Sequence, residues 1–184
     1  NPQRKIILTG LHPSALPERT LNEEDCDFVC EGEGFYTLLG LLENKKLNEI
    51  PGLWYKENKT IKSNSRAENI KNLTAELPDI AWDLLPMDKY KAHNWHCLDD
   101  LESRHRYASI STSLGCPFNC SFCCINAPFG KHLWRTWKPE WVLKQIDILV
   151  KEYNVKNIKF IDELFVLNPA HFIPVIIEAF KKNK

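Results

Sequence analysis

The chain has 184 residues, and its 24 lysines and arginines balance 24 aspartates and glutamates. A formal net charge of zero argues against a nucleic acid or a membrane surface as the main partner, because both usually need a clustered positive excess. No apolar run approaches the roughly 20 residues that span a bilayer and no secretory signal precedes the first predicted element, so we expect a cytoplasmic protein.

Short apolar runs alternate with helical patterns in the first part of the chain, an order typical of an α/β fold. Two buried strands of a parallel sheet are predicted, over residues 5–10 and 26–30. A loop and a helix are predicted to follow each strand, with the helices over residues 17–25 and 35–46. In the second helix, Leu38, Leu41 and Leu42 share one face, at the spacings of three and four that are typical of a helix.

The middle of the chain carries weaker signals. Residues 52–56 and 59–62 flank Glu57-Asn58 and predict an antiparallel hairpin. Residues 63–76 are polar and are expected to form a loop. Residues 77–106 combine prolines, tryptophans, tyrosines and many charges with little periodicity, which indicates a linker that packs through its aromatic side chains.

A second α/β pattern follows. A strand is predicted over residues 107–113 and a cysteine-rich loop over residues 114–130. A strongly amphipathic helix from Pro139 to about Tyr153 leads to another strand over residues 157–161. Pro169 is expected to open a last helix.

The chain has seven cysteines, an odd number, and four of them lie between residues 116 and 124, which does not resemble a disulfide framework. Cys116, Cys120 and Cys123 form a C-x3-C-x2-C motif. Three thiolates from one loop can hold three irons of a 4Fe–4S cubane. The fourth iron then has no protein ligand, so a substrate group can bind it directly.

Zinc is the alternative metal for this motif, but zinc prefers four ligands and commonly takes them in C-x2-C pairs. Only one such pair is present, so His132 or Cys97 would have to complete a zinc site. Neighbouring residues seldom reach two corners of one cubane, so we expect Cys124 to be a small buried hydrophobe. Cys26 and Cys30 lie four residues apart on a predicted strand and are expected to pack in the core.

The segment from Leu114 to Cys123, placed directly after a predicted strand, resembles the cluster-binding loop of the radical S-adenosylmethionine (SAM) superfamily. The aromatic Phe122 before the third cysteine matches the usual pattern of that superfamily. So does the run Asp162-Glu163-Leu164-Phe165 at the end of the second predicted strand of this part.

The closest resemblance is to the subgroup with an N-terminal cobalamin-binding domain. Residues 10–18 and 30–34 resemble the later loops of that domain, and residues 77–86 resemble its linker. Trp134-Arg135 and Lys138-Pro139-Glu140 resemble the entry to the first helix of the radical SAM barrel. The chain departs from the subgroup at Phe35, where a second acidic residue is common. The aspartate–histidine cobalamin motif would lie before Asn1.

The resemblance implies an α/β fold in two parts. Residues 1–75 would be the C-terminal part of a Rossmann-like cobalamin-binding domain with its hairpin, and residues 76–106 would be a linker. Residues 107–184 would be the start of a partial (β/α)6 TIM-type radical SAM barrel. We therefore expect a piece of a longer enzyme, inactive by itself.

The implied chemistry is that of the superfamily. A 4Fe–4S cluster would bind SAM and cleave it reductively to a 5′-deoxyadenosyl radical, with cobalamin as a second cofactor and methyl transfer as one outcome. The implied partners are a small-molecule substrate and an electron donor such as flavodoxin or ferredoxin, without nucleic acid or membrane. The alternatives are a radical SAM enzyme with a degenerate cobalamin domain, and a non-catalytic zinc or iron–sulfur binding module.

The resemblance also implies cofactor contacts outside the cysteines. Asp162 or Glu163 would receive the SAM amino group, although either could equally be a solvated loop carboxylate or a cap. Phe122 would shield the cluster and touch adenine, although a core aromatic would give the same pattern. The cobalamin contacts would be His12, Gly32 and Glu33, against the alternative of ordinary loop and turn residues.

Overall fold

The computed structural model describes residues 4–92 and 104–182, so Cys97 lies outside the described residues. The chain divides into two compact units that alternate in sequence. The first unit comprises residues 1–70 and 115–133, and the second comprises residues 71–114 and 134–184. The domain boundaries expected from the sequence stay a prediction. Among the helices described, none is long and apolar enough to cross a membrane.

A four-stranded mixed sheet, in the order β1-β2-β3-β4, organises the first unit. Its strands are β1 (Ile7–Leu8), β2 (Phe28–Cys30), β3 (Leu53–Glu57) and β4 (Thr60–Ser63). β1 and β2 are parallel, as predicted, whereas β3 runs antiparallel to both β2 and β4. The predicted hairpin is confirmed, and it extends the sheet. Its turn lies at Asn58 and Lys59, whose positive φ angles of 49° and 67° suit a two-residue hairpin loop.

Three helices accompany this sheet: α1 (Leu11–Ala15), α2 (Pro17–Glu23) and α3 (Phe35–Leu42). The helices predicted from Pro17 and from residue 35 are confirmed, although both end earlier than predicted. The loop predicted between β1 and α2 is wrong, because Leu11–Ala15 forms a short helix there. Its Pro13 stands in the first turn, where a missing N–H costs nothing.

α3 packs through its small residues and through Leu41, which is partly buried against Ile50, Leu53 and Tyr55. Thr37 and Gly40 are buried, and a Cβ atom on Gly40 would lie only 3.1 Å from Ile50. Leu38 is exposed, and Leu42 is 80% exposed. The spacing of the leucines therefore identified the helix and its apolar stripe but not what covers that stripe.

A βαβ arrangement organises the second unit. β5 (Tyr107–Ile110) and β8 (Asn157–Phe160) are parallel neighbours, and α5 (Pro139–Lys151) lies between them in sequence. α6 (Pro169–Lys182) follows β8, and a short helix α4 (Leu73–Glu76) opens the unit. The predicted strand over residues 107–113 is divided, because the chain bends after Ile110 and begins a new strand, β6 (Ser113–Cys116). β6 pairs with β7 (Leu133–Thr136), which the sequence pattern did not predict.

The core of the second unit includes a residue of the segment predicted to pack through its aromatics. Trp82 is buried together with Met87, Ala108, Leu149 and Val155. Its indole N–H donates to the side-chain oxygen of buried Gln145 on α5, at 2.9 Å. Since a buried indole N–H needs an acceptor, this bond fixes where the segment crosses α5.

Candidate functional site

The three cysteines of the C-x3-C-x2-C motif line one pocket of about 280 Å³ in the first unit. β6 ends at Cys116, which is half-buried, whereas Cys120 and Cys123 are exposed. All three are free thiols. A tight turn joins the last two, because the Cys123 N–H donates to the Cys120 carbonyl at 3.0 Å. The loop therefore presents three potential thiolate ligands on one concave surface.

Thiolates are ligands of both iron–sulfur clusters and zinc, so the donor set fits either. Within residues 4–92 and 104–182, no three Cys, His, Asp or Glu side chains are already arranged around a position for a metal ion. Ligation by Cys116, Cys120 and Cys123 stays a prediction, supported by the pocket that they share.

Cys124 does not have the environment expected from the sequence. It is exposed and lines the same pocket as the three motif cysteines, so the prediction of a buried hydrophobe is wrong. The physical reason is that residues 117–124 are all exposed, which leaves no apolar core for this side chain to enter. Cys30, by contrast, is fully buried at the end of β2, as predicted. Burial raises the pKa of its thiol, which suits a packing role and not ligation.

The side chain of Asn126 closes the cysteine loop. Its Oδ1 accepts from the Cys116 N–H at 3.3 Å, and its Nδ2 donates to the Phe118 carbonyl at 3.2 Å. The same Nδ2 lies 2.9 Å from Nδ1 of His132, which also lines the pocket. One amide thus connects the start of the motif, its middle and a histidine that follows the motif.

Arg66 and Asn69 hold the segment that follows the motif. Arg66 donates to the Ala127 carbonyl at 3.1 Å, and Asn69 donates to the Phe129 carbonyl at 2.8 Å. The Arg66 guanidinium also forms a half-buried ion pair with Glu31, at 3.1 Å. Glu31 accepts a further bond from the Trp54 indole, at 2.8 Å. Residues from the segments that follow β2 and β4 thereby position the end of the cysteine loop.

The three residues expected to contact cobalamin are in different environments. His12 is exposed on α1. Gly32 is buried, and its N–H donates to the Ser14 hydroxyl at 3.2 Å. The Glu33 carboxylate accepts from the Ile70 N–H at 2.8 Å. The polar groups of Gly32 and Glu33 thus already make internal bonds, and a role in binding cobalamin stays a prediction for all three residues.

Phe122, predicted as a cluster shield, is 92% exposed. The alternative of a core aromatic is therefore wrong, because nothing in the described part of the first unit covers its ring. An aromatic side chain this exposed next to Cys123 has its full apolar surface free for a ligand or for further protein. Its contact with adenine stays a prediction.

In the second unit, Asp162 joins the end of β8 to the start of β6. Its Oδ1 accepts from the Thr112 N–H at 2.8 Å, the Thr112 hydroxyl at 2.9 Å and the Ser113 hydroxyl at 2.6 Å. Its Oδ2 is buried without a hydrogen-bond partner among the described residues. Glu163, the other candidate for the SAM amino group, is exposed. The two carboxylates that the sequence could not separate are therefore in distinct environments.

Sequence reasoning missed His171, which is only 3% exposed on α6. Its Nε2 lies 2.8 Å from the Thr112 hydroxyl. Because that hydroxyl donates its one proton to Asp162, it must accept at His171, so the ring carries a proton on Nε2. Burial lowers the pKa of His171 and favours this neutral form, although the Asp162 carboxylate opposes the effect. No local pattern indicated this residue, since its partners are far away in sequence.

The lowered pKa of His171 predicts a loss of stability on acidification. An unfolded histidine takes up its proton near pH 6.5, before the folded one does. The free energy of unfolding should therefore be unaffected by this group above about pH 6.5 and should fall as the pH drops below it, until the folded pKa is passed. Denaturant melts of the wild type and of His171→Phe, at several pH values, measure this component.

We expect the wild type to lose more stability than His171→Phe between pH 7 and about pH 5.5, the range just below the unfolded pKa. His12→Phe, which removes an exposed imidazole, serves as the control. Parallel pH profiles for the wild type and His171→Phe would show that the buried ring does not titrate as described.

Comparisons with known proteins point to one group. No protein-family model matches the chain. An uncharacterized methyltransferase of Pyrococcus horikoshii is 38% identical over 175 residues, covering 92% of this chain and 36% of that protein. The 4′-phospho-dehydrooxetanocin synthase of Priestia megaterium is 28% identical over 173 residues, covering 88% of this chain and 21% of that protein. The solved structure of the cobalamin-dependent SAM radical enzyme OxsB, with aqua-cobalamin and SAM bound, matches with a TM-score of 0.65 and 25% identity, over 97% of this chain and 24% of that chain.

Together with the C-x3-C-x2-C pocket, these similarities identify the chain as a member of the radical SAM superfamily. Within the superfamily, its structural relative OxsB is a cobalamin-dependent enzyme. The α/β fold class predicted from the sequence is confirmed, and the structure shows that the sheet of the first unit is mixed. The chain spans about a third or less of the length of these two curated relatives.

Proposed function

We propose that Cys116, Cys120 and Cys123 hold a 4Fe–4S cluster whose fourth iron is open to SAM. The observation that carries this proposal is that the three motif thiols are free and line one pocket. When bound, the cluster would supply the electron that cleaves SAM to a 5′-deoxyadenosyl radical. The contribution of the chain is to bind, orient and shield these groups.

Each part of the loop has a distinct task in this proposal. The three thiolates hold the cluster, and the Asn126 amide keeps the backbone of the motif closed around it. Arg66 and Asn69 hold the following turn through its carbonyl groups. The exposed ring of Phe122 shields the site and contacts adenine. These bonds keep the ligands oriented before the cluster arrives, which lowers the entropy cost of binding it.

Cobalamin is the proposed second cofactor, as in the OxsB structure, which has aqua-cobalamin bound. Residues 1–75 would belong to the cobalamin-binding domain, with His12, Gly32 and Glu33 beside the corrin, and residues 107–184 would begin the barrel. The internal bonds of Gly32 and Glu33 favour a second candidate, a radical SAM enzyme whose first domain no longer binds cobalamin. Cobalamin content of the purified full-length protein distinguishes the two.

The remaining proposals follow from the relatives. The full-length protein would act on a small molecule in the cytoplasm, with methyl transfer as one outcome and with a flavodoxin or ferredoxin as electron donor. The relative from Pyrococcus horikoshii is named as a methyltransferase, which supports this outcome. We further propose that the 184-residue chain alone does not cleave SAM, because the full-length relatives contain far more protein than the part that it matches.

Metal analysis of the anaerobically reconstituted full-length protein tests the central proposal. We expect about four iron and four sulfide ions per chain, the content of one cubane. Stoichiometric zinc without sulfide would instead identify a zinc-binding module and would remove the proposal altogether.

SAM should bind the open iron, so we expect it to change the EPR spectrum of the reduced cluster. Glu163→Gln is expected to weaken this change without unfolding the protein, because Glu163 is exposed and its carboxylate is the better candidate for the SAM amino group. Asp162→Asn should also lower the free energy of unfolding, because the three hydrogen bonds that Oδ1 accepts would go to a neutral amide oxygen and not to a carboxylate. A bond to a charged group contributes about 1.5–3 kcal/mol. An EPR spectrum unaffected by saturating SAM would contradict an open iron.

A further inference from the structure

The orientation of the Asn126 amide is determined by its two backbone partners. The Cys116 N–H can only donate, so the atom that faces it at 3.3 Å must be the amide oxygen. The Phe118 carbonyl can only accept, so the atom that faces it at 3.2 Å must be the amide nitrogen. Turning the amide over would place donor against donor and acceptor against acceptor. Both contacts therefore select the same orientation.

This orientation fixes the proton on His132. The Asn126 Nδ2 lies 2.9 Å from His132 Nδ1 and must donate to it, so Nδ1 presents its lone pair. The neutral imidazole then carries its proton on Nε2. A histidine that ligates a metal through Nε2 normally has Nδ1–H donating to a carbonyl or carboxylate. The arrangement here is the opposite, so the ring is prepared to donate through Nε2 and not to ligate through it.

His132 lines the same pocket as Cys116, Cys120 and Cys123. We infer that His132 donates a hydrogen bond from Nε2 to a sulfur of the bound iron–sulfur cluster, and that Asn126 is the positioning residue that holds the ring in this tautomer. The inference rests on the proposed function, because it requires a cluster in this pocket. It assigns His132 a bond to a cluster sulfur and not to an iron, which would leave the open iron to SAM.

A hydrogen bond to a cluster sulfur has a measurable consequence. Reduction adds one negative charge to the cluster, and a donor N–H stabilises the more negative state, so hydrogen bonds raise the reduction potential. His132 and Asn126 would thus make the cluster easier to reduce than an identical cluster held by three cysteines alone.

The test is a potentiometric titration, followed by EPR, of the reconstituted full-length protein and its variants. In His132→Leu, which removes the donor, we expect unchanged iron content. At a given applied potential, the ratio of reduced to oxidised cluster should fall about tenfold. For a one-electron couple, this corresponds to a midpoint potential about 59 mV more negative. His132→Gln keeps an N–H donor and should recover most of the potential. His105→Leu, which removes an exposed histidine of the second unit, should leave the potential unchanged.

Asn126→Asp provides an independent variant. A carboxylate still accepts from the Cys116 N–H and can accept from His132, which favours the imidazole proton on Nδ1 and removes the donor at Nε2. It also loses the bond to the Phe118 carbonyl and adds a negative charge that lowers the potential by itself, so the same substitution made in His132→Leu measures the charge effect that must be subtracted. After this subtraction, the midpoint potential of the variant should fall as in His132→Leu.

The outcomes separate this inference from the proposed function. A wild-type protein that binds a cluster but shows the same potential in His132→Leu overturns the inference and leaves the proposed function intact. Loss of iron in both His132→Leu and His132→Gln would identify the ring as a ligand, which also overturns it. A wild-type protein that binds zinc and no cluster overturns both.

Discussion

Replacing any one of Cys116, Cys120 or Cys123 by alanine is expected to abolish stable binding of the iron–sulfur cluster. A cubane held by three cysteines has no spare protein ligand, so each substitution leaves two irons without one. The bonds from Asn126, Arg66 and Asn69 act on the loop backbone and on His132, and cannot replace a thiolate. Iron and sulfide content, together with the EPR signal of the reduced cluster, measure the effect.

Cys124→Ala is the matched control, because Cys124 is exposed, adjacent to Cys123 and part of the same pocket. It should retain full iron content and an unchanged EPR spectrum. Cys97→Ala should do the same. Loss of the cluster in Cys124→Ala combined with its retention in Cys120→Ala would refute the assignment of the three ligands.

Local sequence patterns predicted those parts of the structure that local interactions determine. The C-x3-C-x2-C spacing predicted that three thiols share one loop. Two short apolar runs around a turn predicted the hairpin. Pro139 and the apolar stripe after it predicted α5, which the structure begins at that residue. In each case, the residues that specify the element lie within about 15 positions of one another, as helix and hairpin geometry requires.

Contacts between distant segments were not predictable in the same way. The partners of Arg66 and Asn69 in the cysteine loop are backbone carbonyl groups, which every residue has, so no side-chain pattern marks them. His171 meets Thr112 although the two lie 59 residues apart in the chain, so only the tertiary structure brings them together. The exposure of Leu42 and Cys124 depends on what surrounds them, which is a property of the tertiary structure.

Gly115 is a position in the cysteine loop where the backbone tolerates little change. Its φ angle of 85° lies in the left-handed region, which side chains other than glycine adopt at a cost of about 1–3 kcal/mol. A Cβ atom there would also overlap the Leu133 carbonyl oxygen and come within 3.2 Å of the Phe129 ring. Leu133 begins β7, the partner strand of β6, so its backbone cannot move aside without disturbing that pairing.

We expect Gly115→Ala to lower the free energy of unfolding by the cost of the backbone strain. The overlap of the new Cβ atom should lower it by about 1–3 kcal/mol more. Since a whole domain is stable by only about 5–15 kcal/mol, and since Gly115 directly precedes Cys116, iron binding should fall as well. Gly10→Ala is the matched control: its φ angle is 108°, yet a Cβ atom there would meet nothing within 4 Å. It introduces the backbone strain without the overlap. The two variants are compared by thermal or denaturant melts and by iron content. If Gly115→Ala and Gly10→Ala are equally stable and both bind full iron, the approach of β7 does not constrain the cysteine loop.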